Sequence, residues 1–238
     1  MKLTEHLIKI SGVEYETNSN CYALVHDRGL ALIDCGCTGA QWERMEAALR
    51  RWGHSLRETT HVFLTHAHFD HGGNARKVNE LGAMLLCSVS DVYKLEKANP
   101  ESERLFGFPL IPAKADAVLR DGERFAFPGG ASITVLETPG HSAGSLSFLV
   151  ETDGVRALAT GDMFWPAPCP PEDRDDVELG FMGSDDFSLD ALIASLEKLA
   201  STPAELLLSG HYHVFFGDVP QLTGLALEKA KRIREEAK

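Results

Sequence analysis

Between residues 61 and 73 the chain reads His-Val-Phe-Leu-Thr-His-Ala-His-Phe-Asp-His-Gly-Gly. Four side chains there can ligate a metal, His66, His68, Asp70 and His71, all within six residues. Neutral imidazole and carboxylate are donors that zinc, iron and manganese accept. Donors so closely spaced crowd one small cation, but they can divide between two. A polar loop with surface histidines is the plain alternative. It is the weaker one, because the run follows directly on His61-Val62-Phe63-Leu64, which reads as a buried strand. Gly72 and Gly73 come next, and a helix is expected from near Asn74.

Three further segments supply the same residue types after strand-like runs or turns. They are Thr138-Pro139-Gly140-His141-Ser142, Leu158-Ala159-Thr160-Gly161-Asp162 and Leu206-Leu207-Leu208-Ser209-Gly210-His211. With the first stretch they resemble the metallo-β-lactamase superfamily, whose signature is His-x-His-x-Asp-His at the end of a strand, with three more ligands following in order. All seven positions are filled, and the resemblance extends over nearly the whole chain. By that resemblance His66, His68 and His141 hold one metal, Asp70, His71 and His211 hold a second, and Asp162 bridges them. The implied cofactor is two divalent metal ions, zinc foremost, with iron or manganese as alternatives. Two metals about 3.5–4 Å apart can share a hydroxide, because a zinc-bound water has its pKa lowered to about 7. That hydroxide would be the nucleophile, with Asp70 as the catalytic residue that orients it or passes on its proton.

Length and composition set the frame. A chain of 238 residues can bury a substantial core, and 44% hydrophobic with 24% charged residues is ordinary for a globular protein. No apolar run approaches the roughly 20 residues that a membrane span needs. Met1-Lys2-Leu3-Thr4-Glu5-His6 lacks the apolar region of a secretory signal, so a cytoplasmic location is expected. The five cysteines, Cys21, Cys35, Cys37, Cys87 and Cys169, are odd in number and scattered, which is no disulfide framework. Net charge is −12 with histidines neutral, and it stays negative even with two divalent cations bound. Such a field repels phosphate backbones and anionic membranes. A small-molecule substrate is the expected partner, not nucleic acid or membrane; a homodimer is left open.

The elements that must position the ligands follow from periodicity and turn chemistry. Strands are expected at Leu7 to Ile10, Cys21 to His26, Leu30 to Asp34 and Ala83 to Cys87, then near Phe125 to Phe127, Ser132 to Glu137, Leu146 to Val150 and Val155 to Thr160. Asp153-Gly154 is a hairpin signal. Helices are expected at Ala40 to Trp52, Ala75 to Leu81, Ser90 to Ala98, Leu189 to Ala200 and Pro220 to Glu236. Residues 99–116 read as an irregular crossover in which Phe106, Phe108, Leu110 and Ile111 want burial. The pattern alone gives α/β or α+β with mixed sheets. The resemblance sharpens this to α+β, an αββα sandwich of two mixed β-sheets flanked by helices. It would be a single domain of two similar halves, about 1–115 and 116–238, with the metal-binding loops along one edge.

Residues 163–187 begin directly after Asp162 and read as an aperiodic, proline-rich loop, a type that commonly forms lids. Phe164, Trp165, Phe181 and Met182 are the expected substrate-binding residues, with Phe164 and Trp165 forming one apolar wall. Trp165 is three residues past Asp162, at most about 10–11 Å of extended chain. Tyr212, beside His211, is a further substrate-binding candidate, although for it and Tyr22 core packing is the default. Asp34 either hydrogen-bonds a ligand histidine or only caps its turn. His6, His26, His54, His61 and His213 read as structural or surface residues.

Within the superfamily, an aspartate at 162 resembles the glyoxalase II, lactonase and phosphodiesterase branches, whereas true β-lactamases usually carry cysteine or serine there. The resemblance therefore implies a binuclear hydrolase of a small carboxylic ester, thioester or lactone. A mononuclear-iron oxidoreductase similar to persulfide dioxygenases is one alternative. A phosphodiesterase is another, disfavoured by the acidic charge.

Overall fold

Residues 1–97, 100–167 and 177–237 are described by the structure, a computed structural model. Six strands, β1 (Leu7–Lys9), β2 (Tyr22–His26), β3 (Gly29–Ile33), β4 (Thr59–Phe63), β5 (Met84–Cys87) and β6 (Ala117–Val118), form one sheet in that order. Helices α1 (Gly39–Arg50), α2 (Phe69–Gly72), α3 (Ala75–Leu81), α4 (Val89–Glu96) and α5 (Pro100–Phe106) connect them. The later strands are β7 (Arg124–Ala126), β8 (Ser132–Glu137), β9 (Leu146–Thr152), β10 (Val155–Gly161), β11 (Phe164–Pro166), β12 (Val177–Leu179), β13 (Leu206–Ser209) and β14 (Phe215–Phe216). Six of these make a second sheet in the order β14-β13-β10-β9-β8-β7, while β11 and β12 pair separately. Helices α6 (Leu189–Ala200) and α7 (Val219–Glu236) complete the chain. Both sheets are mixed: β3, β4, β5 and β6 run parallel, as do β10 and β13, and the other pairs are antiparallel.

Side-chain alternation builds the layers. In β3, Leu30 and Leu32 join an outer apolar layer with Met45 and Leu49 of α1, while Ala31 and Ile33 turn the other way. In β4, Val62 faces the same outer layer and Phe63 the middle one. Across the interface Ala157 and Ala159 of β10 and Leu206 and Leu208 of β13 supply the middle layer, and Leu158 and Leu207 face α6 and α7. The sheets therefore lie face to face with helices outside, the αββα sandwich. Each buried Leu, Ile or Phe contributes about 1.5–3 kcal/mol. A one-residue slip would exchange these layers strand by strand, so register is strongly specified.

Parallel pairing matters most for the site, because it places strand C-termini on a common edge. Asp34 follows β3, Thr65 and His66 follow β4, Asp162 follows β10, and His211 follows β13. The two sheets are stitched together at this edge by Leu146 N–H donating to Thr65 O at 2.7 Å and Asn20 N–H donating to Gly210 O at 2.7 Å.

Several expectations need correction. The helix expected from near Asn74 is present as α3, but a short helix not expected, α2, precedes it and carries Asp70 and His71. Within 99–116, residues 100–106 are helical, and Phe108 and Ile111 are exposed while Leu110 is buried. Phe108 is partly covered by stacking on Phe69 at 5.6 Å. The stretch after Asp162 opens as a strand paired with Val177–Leu179, not as a loop. Residues 168–176 of that stretch, which include Cys169 and the acidic run from Glu172 to Asp176, lie outside the described residues, as does Ala98 at the end of the helix expected from Ser90. The Asp153-Gly154 turn joins β9 to β10 with φ of 55° and 75°, as a tight hairpin requires. No helix among the described residues is long and apolar enough to cross a membrane.

Candidate metal centre

All seven expected ligands meet at the shared edge, in two groups. Donor atoms of His66, His68 and His141 lie within 4.8 Å of one another, as do those of Asp70, His71, Asp162 and His211. Asp162 stands between the groups. Its Oδ2 is 3.1 Å from His211 Nε2 and 3.8 Å from His141 Nε2, and its Oδ1 is 3.1 Å from His71 Nε2. Asp70 Oδ2 is 3.2 Å from His211 Nε2. Local glycines permit this crowding. A Cβ on Gly210 would come within 2.1 Å of Asp162 Oδ1, and one on Gly73 within 2.4 Å of Cys37 O.

Partners outside the cluster fix each imidazole. His71 Nδ1–H donates to Asp34 Oδ2 at 2.8 Å, so Asp34 orients a candidate ligand rather than only closing its turn. The same oxygen accepts from Thr65 Oγ1 at 2.8 Å, and that hydroxyl in turn accepts from His66 Nδ1 at 3.1 Å. His141 Nδ1 donates to Phe181 O at 2.9 Å and His211 Nδ1 to Asn18 O at 3.3 Å. These four rings therefore turn Nε2 inward. His68 is reversed: its Nε2 donates to Ser184 Oγ at 3.2 Å, and its Nδ1 faces His141 Nε2 at 2.9 Å. Partners of this kind set the tautomer and raise ligand basicity.

The turn that carries His211 is braced from the other end of the chain. Fully buried Lys9 donates from Nζ to Tyr212 O at 2.7 Å and pairs with Glu14 at 2.7 Å. Asn20 Nδ2 donates to Ser209 O at 2.8 Å, and the Tyr22 hydroxyl donates to the same carbonyl at 2.7 Å. Tyr22 is thus a core residue with a structural hydroxyl. His213 is exposed.

Electrostatics divide the two groups. Burial is the main reason that His66, His68 and His141 lie below the ordinary imidazole range, His68 at about 3. They are neutral at pH 7, the form that ligates a cation. Burial would lower His71 and His211 too, but Asp162 and Asp70 outweigh it, and His211 is pushed up to about 10. The two imidazoles in return hold Asp70 and Asp162 below the carboxylate range, although burial alone would raise both. Protons on His71 and His211 balance charge that a cation would balance in their place.

The donor set fits divalent metal. Among the described residues His66 Nε2 and Asp70 Oδ1 are buried without a hydrogen-bond partner, and His71 Nε2 and Asp162 Oδ1 have only each other, at 3.1 Å. Leaving such atoms unpaired is costly. Imidazole lone pairs facing each other at 2.9 Å, as between His68 and His141, likewise call for positive charge between them.

A cleft of about 310 Å³ opens over the two groups, lined by His68, Asp70, His141, Asp162 and His211 together with Asn18, Leu105, Phe106, Trp165, Phe181 and Tyr212. Of the expected substrate-binding residues, Trp165, Phe181 and Tyr212 lie on it, and the Trp165 ring is 5.5 Å from that of His211. Phe164 does not. It is fully buried against α6 and α7, because neighbouring residues of a strand point to opposite faces. Met182 is half-buried and is not part of the lining. Sequence reasoning misses Ser184, Asn18, Leu105 and Phe106. The apolar pair Leu105-Phe106 is visible as a signal, but its destination is not.

The chain is 32% identical over 190 residues to a hydroxyacylglutathione hydrolase of Methylococcus capsulatus, covering 78% of this chain and 59% of that one. It is 30% identical over 144 residues to the atrochrysone carboxyl ACP thioesterase of Aspergillus fumigatus, covering 60% and 39%. The alignments span about three fifths of the length of the first curated relatives. Among solved structures, a Cronobacter sakazakii metallo-beta-lactamase with a HARLDQ motif superposes with TM-score 0.76 at 17% identity, covering 100% and 96% of the chains. A metallo-beta-lactamase family protein from Thermus thermophilus gives 0.75 at 24%, covering 99% and 82%. These structures share the fold; membership rests on the family model, that of the metallo-beta-lactamase superfamily, which matches residues 15–211 and so takes in all seven ligand positions. The chain belongs to the metallo-β-lactamase superfamily.

Proposed function

We propose that this chain is a metal-dependent hydrolase that binds two divalent cations, zinc foremost, and cleaves a small carboxylic ester, thioester or lactone. One observation carries the reading: a single carboxylate oxygen, Asp162 Oδ2, addresses His141 at 3.8 Å and His211 at 3.1 Å, one from each ligand group. Relatives whose names describe thioester cleavage support the bond class. The net charge of −12 supports a small substrate over a nucleic acid.

When bound, the cations supply Lewis acidity toward the substrate carbonyl and lower the pKa of a coordinated water to about 7. His66, His68 and His141 would hold the first, Asp70, His71 and His211 the second, and Asp162 both. Asp70 Oδ1 is buried and has no hydrogen-bond partner among the described residues, and it would hold the proton that the attacking water gives up as its oxygen bonds to the carbonyl carbon. As the C–O or C–S bond breaks, that proton passes to the leaving oxygen or sulfur. Trp165, Phe181 and Tyr212 orient the substrate over the ligands.

Metal analysis of the purified protein, run beside ester, thioester, lactone and phosphodiester panels, tests this. About two cations per chain are expected, with at least one lost from Asp162→Ala. A single iron with oxygen uptake on persulfides, or turnover of phosphodiesters alone, would overturn it.

A further inference from the structure

Helix α5 is built inside out. A surface helix normally turns its apolar side to the core, yet the buried residues of α5 are Glu101 and Ser102, at 5% and 1% exposure. Glu101 accepts Asp185 N–H at 2.7 Å and lies 3.6 Å from Lys94 Nζ, while Ser102 Oγ donates to Phe108 O at 2.8 Å. Lys94 also pairs with Asp186 at 2.8 Å, so it ties α4 and α5 to the segment that carries Phe181 and Ser184. The apolar end of the helix, Leu105 and Phe106, belongs to none of the three apolar clusters. Both residues are half-buried and line the cleft, with the Phe106 ring 6.1 Å from that of His68.

The lining has a second property. Among the described residues it contains no lysine and no arginine. Of the nearby described cations, Lys94 is engaged by Asp186 and Glu101, Arg104 by Asp185 at 2.5 Å, and Lys9 by Glu14 at 2.7 Å. A substrate carrying carboxylates away from its reacting bond, such as a glutathione thioester, would find no ammonium or guanidinium among the described residues that line the cleft. A neutral substrate with a hydrocarbon or aromatic acyl group would cover the apolar surface that the fold leaves open, and a cleft of about 310 Å³ has room for it.

Resting on the hydrolase reading above, we propose that the substrate is a neutral ester, thioester or lactone with an apolar acyl part. Leu105 and Phe106 are the specificity-determining residues that receive that part, and Lys94 holds them in place relative to Phe181. The metal-loaded protein is assayed with N-acetylcysteamine thioesters from acetyl to octanoyl and with glutathione thioesters of the same acids. In parallel, uncleavable S-alkyl thioethers of N-acetylcysteamine of matching length are titrated against the fluorescence of Trp165 in a Trp42→Phe, Trp52→Phe background, since the chain has three tryptophans. Both kcat/KM and affinity should rise by about two- to fourfold per added methylene until the cleft is filled. The neutral thioester should exceed its glutathione counterpart at every length. Phe106→Ala should lower the octanoyl value about tenfold more than the acetyl value, and Phe106→Leu should recover most of the difference. A flat series, a preference for glutathione thioesters, or a Phe106→Ala loss equal for both lengths overturns the proposal. Absence of hydrolysis across the whole panel sinks the hydrolase reading, and the thioether titration then still decides the role of Phe106.

Discussion

Replacing Asp34 by asparagine removes one charge and one acceptor while keeping a residue that tolerates the positive φ of 61° found there. Three donors converge on the carboxylate: Thr65 N–H on Oδ1 at 2.8 Å, and Thr65 Oγ1 and His71 Nδ1 on Oδ2, each at 2.8 Å. An amide keeps one oxygen and turns N–H groups toward the other two donors. A hydrogen bond to a charged group contributes about 1.5–3 kcal/mol. Because the Thr65 hydroxyl already approaches Oδ1 at 3.1 Å and can turn to it, the net loss of stability is expected to be roughly 2–3 kcal/mol. The effect on metal is separate. His71 loses the partner that fixes its ring, a support worth about ten- to hundredfold in affinity. Thr65→Val makes the graded comparison, since it leaves Asp34 on His71 but removes the hydroxyl that links Asp34 to His66. Chelator competition should show both sites weakened in Asp34→Asn, and only the His66 group weakened in Thr65→Val. Urea unfolding reports the stability loss independently. An Asp34→Asn protein that is less stable yet binds both cations with unchanged affinity would refute the reasoning and leave Asp34 as a turn residue.

Phe164→Ala and Trp165→Ala should behave differently although the residues are adjacent. The first empties a site in the α6/α7 layer and should cost about 3–5 kcal/mol in urea unfolding without altering selectivity, whereas the second should raise KM for bulky apolar substrates; matching selectivity profiles would remove Trp165 from the cleft. Gly210→Ala puts a methyl 2.1 Å from Asp162 Oδ1 and should lower metal content, so full stoichiometry would mean that the turn yields. Burial, only partly offset by Lys94, raises the Asp91 carboxyl from 3.8 to about 6. Its contribution to stability is full below pH 3.8 and is lost as pH climbs to about 6, roughly 3 kcal/mol across that window. Asp91→Asn can still accept the Ala67 N–H and should flatten this decline; an unchanged slope in pH-dependent melts would clear Asp91 of responsibility.

The stretch from His66 to His71 is legible because donor chemistry and strand end are neighbours in sequence. Most strands are legible too, since two-residue alternation in β3, β4, β10 and β13 sorts their side chains into layers. Helix α5 is not, because its buried side is Glu101 and Ser102 and its apolar end serves the cleft, which inverts the pattern that marks a helix. Phe164 is misread for a related reason: treating 163–187 as aperiodic erases the rule that adjacent strand residues face apart. The carbonyls of Phe181 and Asn18 that orient His141 and His211 carry no residue-type signal at all, as any backbone could supply them.

The brace beneath His211 has a practical meaning for anyone who shortens, tags or splits this chain. Sequence distance and mechanical distance part company there, since Asn18 supports a side chain 193 positions away. A nick or insertion between Lys9 and Tyr22 would leave every candidate ligand in place on paper while loosening the last of them. A cut between the two sheets would strand His211 on one fragment and its supports, Lys9, Asn20 and Tyr22, on the other. The two sheets are laced across each other, so the first strands behave as tooling for the last candidate ligand.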